Sequence, residues 1–80
     1  MNIQLIEGQF NTKEALNLIT QMIHVKIKYH ENKINNNSSE EDVKYRETKI
    51  KNLQKELFEL KHYLDNSGNS VQLEANVVAQ

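Results

Sequence analysis

Between Val43 and Leu64 the apolar positions fall into one line. Val43, Arg46, Ile50, Leu53, Leu57, Leu60 and Leu64 recur at alternating steps of three and four, the spacing of a heptad seam along one side of an α-helix, and such a seam needs a facing surface. The seam predicts a helix over residues 39–65. Ser39 with Asp42, or Ser38 with Glu41, supplies the capping signal at its start, and Glu40, Glu41 and Asp42 set negative charge at its positive end. Asn66-Ser67-Gly68-Asn69 stops it with residues suited to a cap and a turn over 66–70.

The preceding segment predicts a helix over 12–34, opened by Asn11 with Glu14 three residues on. Its apolar residues form two adjacent lines. Leu16, Ile19, Ile23, Ile27 and Ile34 make one, and Ala15, Leu18, Met22, Val25 and Tyr29 make the other; together they span roughly 200° of the helix. A helix on the surface of one globular chain needs an apolar face only a little over about 100° wide. The excess implies contact with the other helix of the chain and with a second chain.

Between the helices, the polar run at 35–38 is too short for anything but an antiparallel return. Residues whose numbers sum to about 76 should then lie at one height. Leu16 faces Leu60, Ile19 faces Leu57, Ile23 faces Leu53, Ile27 faces Ile50, Ile34 faces Val43, and His30 faces Arg46. Apolar meets apolar except near the loop, where both helices place polar seam residues.

At the ends, Ile3 and Leu5 alternate with Gln4, which predicts a short strand over 2–7 that Gly8 ends. Val71, Leu73, Ala75 and Val77 alternate with Gln72, Glu74 and Asn76, which predicts a strand over 71–78, with a flexible tail as the alternative. A helical hairpin returns the chain to its start, so the two segments can pair. The expected architecture is mainly α: a single domain, residues 1–80, forming an antiparallel helical hairpin with short N- and C-terminal β segments that dimerises into a four-helix bundle.

Composition narrows the function. Eighty residues without cysteine bury only about 60% of the unfolded surface and have no disulfide to compensate, so association is the expected source of further stability. There is no basic leader and no long apolar run in the sequence, which points to a cytoplasmic chain with no membrane partner. A net charge of −1, with Glu47, Glu56 and Glu59 among the lysines of the second helix, disfavours nucleic acid as a partner.

Chemistry has little to work with. His24, His30 and His62 lack the spacing of a metal site. No residues are assigned to catalysis, to a metal or to a cofactor, and no enzymatic activity is expected. His30 projects near Lys26, Lys33 and Arg46, with Glu47 or Asp42 in reach. His30, Arg46 and Glu47 form the expected polar layer that fixes register. The core or dimer interface is assigned to Leu16, Leu18, Ile19, Met22, Ile23, Val25, Ile27, Tyr29, Ile50, Leu53, Leu57, Leu60 and Leu64. The expected function is a non-enzymatic interaction or scaffold module acting as a homodimer on a further protein partner. The alternative is a small DNA-binding regulator: strand followed by two helices resembles the ribbon-helix-helix proteins in element order, although those helices are shorter, and here Glu7 on the strand would repel phosphate.

Overall fold

The computed structural model covers residues 1–80. The chain runs β1 (Asn2–Asn11), α1 (Thr12–Asn32), α2 (Glu40–Asp65) and β2 (Ser70–Val78). Both helices start where the capping residues place them. The Asn11 side chain accepts a bond from the Glu14 amide at 2.8 Å, and the Ser39 hydroxyl accepts one from Asp42 at 3.1 Å. Each satisfies an amide that the first helical turn leaves without a partner.

The loop between the helices is tied by its own side chains. Asn37 donates its amide to the Asn35 side chain at 2.8 Å, the Asn35 amide donates to the Ser38 hydroxyl at 3.0 Å, and that hydroxyl reaches the Lys33 carbonyl at 3.3 Å. These bonds outcompete the last helical turn, so α1 stops at Asn32 and not at residue 34. The far end of α2 is closed similarly: Asn66 Nδ2 donates to the His62 carbonyl at 2.9 Å, and the Ser67 hydroxyl donates to the Tyr63 carbonyl at 2.6 Å. Gly68, at φ +82°, then turns the chain in a conformation that a side chain would strain.

Along α2, Val43, Arg46, Ile50, Leu53, Leu57, Leu60 and Leu64 are the buried or half-buried positions, and every other residue of the helix is exposed. The seam therefore faces inward along its whole length. The hairpin register holds as well: Arg46 Nη1 lies 3.0 Å from His30 Nδ1, and Ile23 and Leu53 line one groove.

β2 lies where the alternation of 71–78 placed it, whereas β1 runs on past residue 7 to Asn11. β1 and β2 pair antiparallel as one two-stranded sheet, and with 10 and 9 residues they are a sizeable part of the chain rather than short appendages. The molecule is a mixed α/β domain built on a helical hairpin, not a mainly α one. Gly8 does not end β1; it pairs with Leu73 at φ +131°. The register slips between Gln4 and Ile6, so Leu5 is an extra residue in β1. Such a bulge shifts the phase of alternation. In sequence Ile3 and Leu5 differ in parity from Ile6, Gly8 and Phe10, but the extra residue brings Ile3, opposite Val77, to the same face as Ile6, Gly8 and Phe10, opposite Ala75, Leu73 and Val71. On that face Ile6, Gly8 and Phe10 are half-buried.

The resulting body is flat. Its extents are 46 × 33 × 13 Å, and its radius of gyration is 15.3 Å, against about 12 Å for a compact domain of this length. Only Ala15, His30, Leu53 and Leu64 are buried. Ala15 is completely enclosed, close to the junction where the Thr12 amide bonds the Asn69 carbonyl at 3.1 Å and carries the strand pairing into the start of α1.

Candidate interaction surface

The sheet and the helices meet at that junction and leave an open apolar groove further along. Ile6 of β1 and Leu73 and Ala75 of β2 line one wall; Ile19, Met22 and Ile23 of α1 and Leu53 of α2 line the other. Its volume is about 400 Å³, with Lys26, Glu56 and Glu74 completing the lining. A second hollow of about 320 Å³ adjoins it, formed by Leu5, Ile6, Leu18, Gln21, Met22 and Val25. Leu5 and Ile6 share this hollow because the bulge turns both side chains of β1 towards α1.

The two lines of α1 have different fates. Leu16, Ile19, Ile23 and Ile27 are half-buried beside α2. In the other line Leu18 is half-buried, but Met22 is 37% exposed, Val25 71% and Tyr29 54%. Ile50, Leu57 and Leu60 from the interface assignment stand with Leu53 and Leu64 on the inner side of α2, so the assigned residues divide into a covered set and an open set. Leu5, Ile6, Leu73 and Ala75 belong to the open surface without having been assigned to it. The alternation of 71–77 contained half of that signal; the bulge concealed the rest.

The polar layer near the loop has a defined chemistry. Arginine has no acceptor, so the 3.0 Å contact requires Arg46 to donate to an unprotonated His30 Nδ1, with the ring proton on Nε2. His30 is buried, and its pKa lies below the ordinary imidazole value, first through desolvation and then through the positive charges of Arg46, Lys26 and Lys49. No buried side-chain polar atom lacks a partner. Tyrosines complete the layer: the Arg46 guanidinium lies 5.8 Å from the Tyr29 ring centre and 5.5 Å from that of Tyr45, with Lys33 and Lys49 each 5.4 Å from one ring. Arg46 thus joins a ring of α1 to a ring of α2. Glu47, expected in this layer, is exposed and takes no part in its hydrogen bonds.

Elsewhere, His24 and His62 are exposed, and no three His, Asp or Glu side chains converge on one point. His62 packs edge-on against Phe58, with ring centres 4.6 Å apart. No helix is long and apolar enough to cross a membrane. No family model matches the chain, and neither the curated proteins nor the solved structures contain a match to it.

Proposed function

We propose that this chain is a non-enzymatic interaction module that works as a homodimer and presents its assembled surface to a further protein partner. The observation that carries the reading is unfinished burial. The chain exposes 6495 Å², whereas a folded monomer of its mass exposes about 5,000 Å². The surplus exceeds the roughly 800 Å² that each partner contributes to an interface of ordinary size. Much of the open surface is apolar and continuous with the core, running from Ile6 and Leu73 across Met22 to Val25. A large apolar patch of this kind is rare on a stable monomer.

A second copy suits this surface because each chain has the same open side, and a two-fold axis lets one patch cover its own image. The exposed line of α1 then packs across the axis and joins the helices of both chains into the four-helix bundle implied by its double stripe. The Arg46–His30 layer would fix the height at which the two helices of each chain meet.

The test uses charge on the open face. Val25→Glu and Met22→Lys should convert a dimer of 9.4 kDa chains to monomers in light scattering at micromolar concentration, with helical circular dichroism retained for Val25→Glu. Unchanged mass in both variants would remove α1 from the interface. A tight, sequence-selective shift of duplex DNA at physiological salt would replace the reading with the regulator alternative.

A further inference from the structure

We infer that the free edge of β2 pairs with the same edge of a second copy, about a two-fold axis at Leu73, so that the dimer holds a continuous four-stranded sheet in the order β1, β2, β2 of the partner and β1 of the partner. The inference rests on the homodimer reading and specifies how its sheets meet.

The backbone shows which groups are free. Met1 and Ala79 exchange bonds of 2.8 Å at one end of the sheet, and Thr12 bonds Asn69 at the other. Hydrogen-bonded and non-bonded pairs alternate along an antiparallel ladder. Val71, Leu73, Ala75 and Val77 therefore spend their backbone groups on β1, while Ser70, Gln72, Glu74, Asn76 and Val78 turn theirs outward. No strand of the chain takes them, because the sheet ends at β2.

The two edges of this sheet differ in protection. Exposed edges are normally blunted by bulges, prolines or lysines. β1 has its bulge at Leu5 and the left-handed Gly8. β2 runs Ser70–Val78 without a break in register, contains neither proline nor lysine, and has one charge, Glu74. A two-stranded sheet is also marginal by itself and gains from added strands.

Charge disfavours one register, and side-chain complementarity favours another. An axis at Glu74 would set Glu74 against its own copy, and like charges directly opposite destabilise a sheet. An axis at Leu73 places Gln72 opposite Glu74, Ser70 opposite Asn76 and Val71 opposite Ala75, so amide meets carboxylate and apolar meets apolar. In this register Gln72 and Glu74, whose backbone groups point outward, form the bonded pairs. Leu73 meets Leu73 at a non-bonded pair, where α-carbons lie about 4.5 Å apart. A two-fold axis normal to the sheet also sets both helical hairpins on the same side of the four strands.

Two variants test the pairing. Gln72→Pro removes an outward donor from each copy and leaves every bond to β1 in place, as a proline on an edge strand can. The dimer dissociation constant should rise at least about tenfold, from two interface hydrogen bonds lost. Leu73→Cys introduces the sole cysteine of the chain. Mild oxidation should crosslink it to its copy, because the spacing falls in the disulfide range, while Val71→Cys should not crosslink. A dimer that Val25→Glu splits, but that Gln72→Pro leaves unchanged and Leu73→Cys fails to lock, overturns the strand pairing and leaves the homodimer reading intact. A wild-type monomer overturns both. If Gln72→Pro loses its circular dichroism, the crosslinking pair decides alone.

Discussion

Helix α2 and helix α1 are neighbours in one hairpin, yet they solve opposite problems. In α2 the apolar residues form one narrow line, and the fold covers all of it; the remaining positions are polar or, like Phe58 and Tyr63, isolated apolar side chains at the surface. In α1 there are two lines, and the fold covers one of them and the start of the other, at Ala15 and Leu18. From Met22 through Val25 to Tyr29 the second line stays open. A narrow stripe states how a helix sits in its own chain, and a broad one leaves apolar surface that the chain itself does not cover.

Breaking the covered side should have the largest effect. Leu64, at 3% exposure the most enclosed leucine, should cost about 2 to 5 kcal/mol when replaced by Ala, since a cavity opens where the structure relaxes only partly. Urea unfolding followed by circular dichroism measures this. A smaller loss, about 1 kcal/mol, is expected for Ser39→Ala, which strips the cap from α2. It weakens the covered helix without touching the open face, so chemical denaturation should register it while the mass at high concentration stays unchanged.

Acidification sharpens the comparison at the loop end. His30 has a folded pKa below that of the unfolded chain, so the unfolded state takes up the proton first. The stabilisation is complete above the ordinary value of about 6.5 and is lost as pH falls through the folded value. Protonation also removes the acceptor that Arg46 uses. The denaturation midpoint should fall below about pH 6.5 in the wild type, and His30→Gln should flatten that fall. His24→Ala marks the lower end of the scale: this residue is exposed on α1, and its loss should stay within about 0.5 kcal/mol in the same unfolding measurement.

The legible parts of the fold were those set by nearby residues. The seam of α2, both capping residues and the polar loop depend on spacings of three or four, and the loop length then fixes the antiparallel register that joins His30 to Arg46. β1 was harder to read, because Leu5 breaks a period-two pattern in its middle and Gly8 looks like a terminator when its open φ serves inside a strand. The sheet wall of the groove went unassigned for the same reason: Ile6 lies in the wrong phase with respect to Ile3. Glu47 was expected in the polar layer as a carboxylate in reach of the basic cluster, whereas the rings of Tyr29 and Tyr45, with centres 5.8 and 5.5 Å from the Arg46 guanidinium carbon, occupy that role.

In the proposed dimer the open line of α1 and the groove beside it are completed by a second copy. Sedimentation equilibrium of the unaltered protein through a dilution series tests it most directly. The mass should lie near twice 9.4 kDa at micromolar concentration and fall towards the single-chain value on dilution. A constant single-chain mass across the whole series would contradict it.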